Sequence, residues 1–290
     1  RITRFGFYDR PNSLRRWRFH RRNFMADRHV TATRFRTLSK PTGCVRWKIQ
    51  HENRFDAMTA AKTQIAENLS RVRERIAAAC ERANREPSSV RLVAVTKYAE
   101  LEWARDLVEQ DVTELGESRP QQLVERASEF GPAVDWHLIG HLQRNKARRV
   151  LPLVSLIHSV DTFRLLSTLE RLAGELDLKP HVLLEVNASG ESQKHGFLPD
   201  ELASGWTQCL KCERVQIVGL MGMAPQVADG EEARPAFRAL RELRDRLRTL
   251  SPALELPELS MGMSGDFEIA IEEGATIIRV GSGLYEGLSP

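Results

Sequence analysis

Eight short apolar runs recur between Arg91 and Val280, separated by stretches of helical periodicity, and this alternation constrains the fold more than any other property of the chain. The runs cover Arg91 to Thr96, Val112 to Gly116, Val134 to Ile139, Ser155 to Ser159, His181 to Asn187, Gln216 to Met221, Leu256 to Ser260 and Thr276 to Val280. Short, nearly continuous apolar runs suit strands buried on both faces of a parallel sheet. Between them, helices are predicted over Leu101 to Gln110, Pro120 to Phe130, Gln143 to Leu151, Thr162 to Leu176, Pro199 to Cys212, Glu231 to Leu250 and Gly265 to Glu273. Ahead of the first run, Ile65, Leu69, Val72, Ile76 and Ala79 form a helical stripe between Thr59 and about Asn84. Eight strands alternating with helices predict an α/β fold, a single (β/α)8 TIM-type barrel with an extra N-terminal helix. The rival, an open doubly wound sheet, calls for a Gly-rich dinucleotide turn after an early strand, and no G-x-G-x-x-G follows any run here.

Charge sets the domain boundary. Residues 1–56 hold thirteen Arg and two Lys against four acids, a surplus of eleven positive charges, whereas the whole chain carries +4, so the remainder is acidic by seven. A basic surface for nucleic acid on the main body therefore loses its support. Residues 1–57 are read as a basic extension, disordered or outside the native fold, ahead of Met58 and the regular helical pattern. A functional tail and an organelle transit segment fit the same Arg-rich composition. Residues 58–290 form the barrel. No run of roughly 18 apolar residues is present to span a bilayer. The four cysteines are too few and too scattered for a disulfide framework, and Cys209 and Cys212 share one face of a predicted helix, as a semi-buried pair would. A reducing cytoplasm is the expected location.

In a barrel of this type the chemistry lies at the C-terminal ends of the strands, with phosphate often held after strands seven and eight. After the seventh run comes "SMGMSGDFE", where Gly262 and Gly265 allow close backbone approach and Ser264 stands at an expected helix start. After the eighth comes "RVGSGLYEG", where Gly281, Ser282 and Gly283 offer further N–H groups and a hydroxyl. Ser-Gly turns and acidic helix starts also arise for structural reasons alone. Two such loops at the two expected positions make an anion cradle. Lys97, at the end of the first run, faces the same space, suited either to a salt bridge with a phosphate or to capture of an aldehyde as a Schiff base. Arg279 shares a strand face with Gly281, so a guanidinium could point at a ring held by its phosphate; it would not readily protonate a pyridine nitrogen. Pyridoxal 5'-phosphate (PLP), both an aldehyde and a phosphate ester, meets both demands.

The motifs "VAVTK", "WHLIGHLQRNK", "EVNASGESQKHGF", "GLMGMAP", "SMGMSGDFEIAI" and "RVGSGLYEG", in this order, resemble those of the YggS/PROSC family of pyridoxal phosphate homeostasis proteins. That family shares its fold with the N-terminal barrel of alanine racemase. The resemblance spans about Lys62 to Leu288. It implies that Lys97 forms the Schiff base with PLP, that Ser264, Gly281 and Ser282 hold the phosphate, and that Arg279 lies near the pyridine nitrogen. It further implies that Met223 and His137 line the ring's pocket. One departure stands out: "LGESR" replaces the family's usual "FGENY", so Ser118 and Arg119 stand where Asn and Tyr are usual.

Two functions follow from the resemblance. The first is a carrier that holds PLP reversibly on Lys97 in intracellular vitamin B6 and amino-acid homeostasis, as a cytoplasmic monomer with PLP-dependent apoenzymes as recipients. The second is a PLP-dependent amino-acid racemase, which needs acid/base groups on both faces of the bound amino acid. In alanine racemase the second base is a tyrosine from an additional β domain. The roughly ten residues after the last run leave no room for one, and only Tyr8, Tyr98 and Tyr285 are present. Tyr98, adjoining Lys97, would point away if the strand continued. The carrier is therefore the expected function.

Overall fold

The computed structural model describes residues 43–188, 195–225, 230–251 and 254–288, with side chains from Met58 onward. The chain divides into two units, Arg1–Trp47 and Lys48–Pro290. The expected basic extension falls largely on residues 1–42, outside the described residues. From Gly43 the backbone is helical, and α1 runs Gly43–Arg82, so the helix expected from Thr59 begins earlier.

Eight parallel strands close into a barrel in the order β1 to β8. They are β1 Arg91–Val95, β2 Glu114–Glu117, β3 Asp135–Leu138, β4 Leu156–Val160, β5 His181–Val186, β6 Gln216–Gly222, β7 Glu258–Ser260 and β8 Ile277–Val280. The circle closes where Arg91 to Ala94 pair with Ile277 to Val280. The connecting helices are α2 Leu101–Val108, α3 Pro120–Phe130, α4 Arg144–Val150, α5 Phe163–Leu176, α6 Pro199–Ser204, α7 Trp206–Cys209, α8 Arg234–Leu250 and α9 Phe267–Glu272. The (β/α)8 expectation holds.

Three further helices differ from the sequence reading for an identifiable local reason. The helix expected over Pro199 to Cys212 breaks at Gly205, where the Phe163 ring occupies the space a Cβ would need. The helix expected from Glu231 starts at Arg234, after a tight 3-10 turn over Gly230–Ala233. The helix expected from Gly265 starts at Phe267, because the Asp266 side chain folds back to accept the Met263 N–H at 2.5 Å.

Apolar packing falls into an inner and an outer layer. Val93, Leu156, Leu183, Met221 and Ile277, from five different strands, fill the barrel interior. The larger core lies between the barrel and its helices. There α8 buries Phe237, Leu240, Leu243 and Leu247, a 3.6-residue stripe. Thr162 caps α5 by accepting the Leu165 N–H at 3.2 Å.

Candidate functional site at the barrel mouth

Side chains two apart on a strand share a face, so the inner layer shows which residues reach the C-terminal mouth. Val93 points inward, which carries Val95 and, past the strand end, Lys97 to the same side. By the same parity Ile277 leads to Arg279 and Gly281, Met221 to Met223, and Leu183 to Glu185. Lys97 is exposed in the turn after β1. Because β1 stops at Val95, Tyr98 does not continue a strand: Lys97 Nζ lies 5.0 Å from the centre of the Tyr98 ring, and Tyr98 is 75% exposed. Met223 is 40% exposed at the rim.

The turn that presents Lys97 is braced from below. Thr96 Oγ1 donates to Glu117 Oε1 at 2.7 Å, Arg126 Nε lies 3.2 Å from the same oxygen, and Arg126 donates to the Ala99 carbonyl at 2.6 Å. Glu117 is fully buried, so it serves the scaffold of the Lys97 turn. Of the two residues that depart from the family pattern, Arg119 is exposed, and Ser118 packs its backbone where a Cβ on Gly140 would have to sit.

The two glycine-rich loops meet. Ser264 Oγ accepts the N–H of Gly281 at 3.3 Å and of Gly283 at 3.2 Å. Ser264 lies in the turn ahead of α9 rather than at its first residue, so the backbone N–H groups, not a helix end, are the donors here. Ser282 is exposed beside them. The loop after β8 is held by Asn68 of α1, whose amide donates to the carbonyls of Leu284 at 3.1 Å and Glu286 at 2.9 Å. Sequence reasoning missed Asn68. The signal was an Asn on the apolar stripe, three residues from Ile65 and four from Val72.

Beneath the mouth, a polar chain crosses the barrel interior. Arg279 donates to Ser260 Oγ at 2.6 Å and to the Gly222 carbonyl at 3.1 Å. His158 Nδ1 is 2.9 Å from Ser260 Oγ, and its Nε2 is 2.9 Å from His137 Nδ1. His137 Nε2 faces Glu114 Oε2 at 3.3 Å, and Arg91 lies 3.5 Å from the same oxygen. Donor logic orders the protons. Arg279 can only donate, so Ser260 Oγ accepts from it; with the Ser260 hydroxyl assigned as donor to His158 Nδ1, neutral His158 carries its proton on Nε2, toward His137. His137, expected in the ring's pocket, thus has its ring nitrogens turned to protein partners one layer below the mouth.

Burial, with the charges of His137, Arg279 and Arg91 adding to it, holds His158 well below the ordinary 6.5 of an imidazole. A depressed histidine contributes stability that is fully present above the unfolded value and is lost as pH falls through it. Below pH 6.5 the unfolded chain takes up a proton that buried His158 refuses, a slope approaching about 1.4 kcal/mol per pH unit. Chemical denaturation of the His158→Gln variant at pH 7 and pH 5 should show that part of the slope removed; an unchanged slope would contradict the assignment.

Burial also lowers Arg279 to about 10, with Asp266 and Glu185 opposing it, so it remains cationic at neutral pH. Glu185 is pushed up to about 7, by burial first and then by the neighbouring Asp161, with Arg279 opposing. Sequence reasoning missed Glu185, although its parity with Leu183 pointed to the mouth. A cleft of about 320 Å³ at the opposite end of the barrel, lined by Arg73, Ile76, Leu92 and Glu114 among others, contains none of the expected residues. Lys97, Ser264, Gly281 and Ser282 lie at the mouth instead.

A closed eight-stranded parallel barrel ringed by helices is the fold of the alanine racemase N-terminal domain. Residues 67–290 match the family described by that name, "Alanine racemase, N-terminal domain". Within it, the chain belongs to the pyridoxal phosphate homeostasis protein family. It is 40% identical over 220 residues to the pyridoxal phosphate homeostasis protein of Aquifex aeolicus, covering 76% of this chain and 96% of that one. It is 34% identical over 242 residues to the bovine (Bos taurus) protein of the same name, covering 78% and 88%. PipY of Synechococcus elongatus, solved with PLP bound, superposes with a TM-score of 0.68 at 36% identity, covering 76% of this chain and 99% of PipY. Alanine racemase of Clostridium difficile 630 superposes with a TM-score of 0.62 at 15% identity, covering 79% of this chain and 57% of that one, a likeness of fold alone. Among the described residues, no helix is long and apolar enough to cross a membrane.

Proposed function

We propose that this protein holds pyridoxal phosphate on Lys97 and buffers or delivers it within the cell, acting in vitamin B6 and amino-acid homeostasis. The observation that carries this reading is the meeting of the two N–H groups of Gly281 and Gly283 on Ser264 Oγ, on the same barrel mouth as Lys97. The residues fit the group: the hydroxyl and two N–H donors suit a phosphate dianion, an exposed primary amine suits an aldehyde, and Met223 offers an apolar edge to a ring.

Pyridoxal phosphate, when bound, supplies an aldehyde able to condense reversibly with a primary amine, with loss of water. Lys97 presents that amine from a turn that the Glu117 and Arg126 brace keeps in place. Ser264, Gly281 and Ser282 hold the phosphate. Arg279, clamped by Ser260 and the Gly222 carbonyl, would offer the ring a cation that does not readily give up a proton. His137 acts from below, through His158 and Ser260, on the position of Arg279. In this reading residues 58–290 carry the function, residues 1–57 take no part, the protein is a cytoplasmic monomer, and PLP-dependent apoenzymes are the recipients.

The racemase reading needs a second positioned base. Tyr285 stacks on Trp103, with ring centres 5.8 Å apart, and burial, opposed by Arg126 and aided by Glu117, pushes its phenol above the ordinary range. Tyr98 stands largely in solvent beside Lys97. Neither offers a base fixed across the mouth from Lys97.

Loaded protein mixed with a PLP-free aminotransferase should restore its activity, and protein loaded with the cofactor and then reduced with borohydride should not. Failure to restore activity, or turnover of L- to D-alanine abolished by Lys97→Ala, would overturn the carrier reading. Ser264→Ala removes one hydrogen bond to a charged group, worth about 1.5 to 3 kcal/mol. It should weaken PLP binding roughly ten- to a hundredfold in a spectroscopic titration while leaving the chromophore itself intact.

A further inference from the structure

We infer that three residues beside the cofactor residues form a binding site for a divalent transition metal ion: His141, Asp161 and His195. His141 Nδ1 lies 3.0 Å from Asp161 Oδ2, and His195 Nδ1 lies 3.8 Å from the same oxygen. The three ligand atoms all fall within 4.8 Å of one another. The two imidazoles stack, with ring centres 4.6 Å apart and planes at 21°. A single His–Asp hydrogen bond would explain one of these rings; it does not explain a second ring turned toward the same carboxylate oxygen.

The frame that delivers these groups is fixed. His141 follows β3 in a loop whose Gly140 carbonyl accepts from Ser159 Oγ at 2.6 Å. Asp161 follows β4 directly and is almost wholly buried, and Thr162 Oγ1 donates to its other oxygen at 3.3 Å. Such outer partners orient a ligating carboxylate. His195 leads into Gly196 and Phe197, which are pinned against β5: the Phe197 N–H reaches the Glu185 carbonyl at 2.8 Å and the Asn187 N–H reaches the Phe197 carbonyl at 3.0 Å. Gly196 adopts φ of 112°, and a Cβ there would press on the backbone of β5. The connections that follow three adjacent strands, β3, β4 and β5, therefore supply one ligand each.

Two imidazoles and one carboxylate select the ion. Imidazole nitrogen suits zinc, cobalt, nickel and copper, whereas calcium and magnesium call for oxygen ligands. With ligand bonds of about 2.0 to 2.2 Å, a tetrahedral ion needs donor separations near those seen, and three protein ligands leave one position for water or a small ligand. None of these residues belongs to the PLP site proposed above, so either assignment can fail without the other.

The test is a titration of the chelator-treated full chain with Co2+, followed by its visible absorption, and with Zn2+, followed by calorimetry. One equivalent should bind, with the cobalt bands of a nitrogen and oxygen site. The double variant His141→Ala/His195→Ala, and separately Asp161→Asn, should each weaken uptake at least about tenfold. The double variant should keep the PLP absorption band and the thermal unfolding of the parent, since the two histidine side chains are 44% and 64% exposed. No stoichiometric uptake, equal uptake by parent and double variant, or a sulfur charge-transfer band placing the ion on cysteine would each overturn the assignment.

Discussion

Lys97→Ala should abolish the chromophore. Parent protein incubated with PLP and freed of excess should retain an absorption band that borohydride bleaches, and the alanine variant should lose the band and bind the cofactor at least about a hundredfold more weakly. The expectation rests on position: Lys97 is the amine carried to the mouth by the inward face of β1, and its turn is held by Thr96, Glu117 and Arg126 rather than by its own side chain. The variant therefore keeps its fold, and the loss reports on the amine. Retention of the band by Lys97→Ala would move the covalent site elsewhere and remove the basis of the carrier reading.

The largest stability effect should come from Gly219→Ala. Gly219 pairs with Leu183 on one side and Glu258 on the other, beside a register shift between Val182 and Leu183. A Cβ at this position would lie inside van der Waals distance of the Glu258 carbonyl, which is backbone and cannot swing away. Strands β6 and β7 would have to part, and β7 presents Ser260, which clamps Arg279. We expect roughly 4 kcal/mol or more of destabilisation by denaturant unfolding, with loss of PLP binding in step. A variant as stable as the parent would show that the barrel relaxes at this seam.

Much of this arrangement was readable from the chain because barrel strands obey two simple rules. Strands buried on both faces appear as apolar runs, so all eight were found, with ends displaced by a residue or two where turns compete. Alternation then put Arg279 and Gly281 on one face, the end of the first run put Lys97 at the same mouth, and Met223 came from the family resemblance alone. What stayed hidden depends on closure. His137 and His158 touch because β3 and β4 are neighbours whose inward faces meet, and Ser260 joins them from across the barrel, 102 residues later in the chain than His158. No local pattern signals such a contact: His137, assigned to the ring's pocket by the resemblance, turns its ring nitrogens to His158 and Glu114. The start of α9, two residues later than expected, was misplaced for a different reason: an Asp side chain competing with the helix for the Met263 N–H is a choice the sequence allows but does not declare.

The most direct test of the central claim is to load the full chain with PLP, reduce with borohydride, digest, and locate the pyridoxyl group by mass spectrometry. One modified peptide is expected, carrying the group on Lys97, in near-stoichiometric yield. A label spread over several lysines, or fixed on a single lysine other than Lys97, would contradict it.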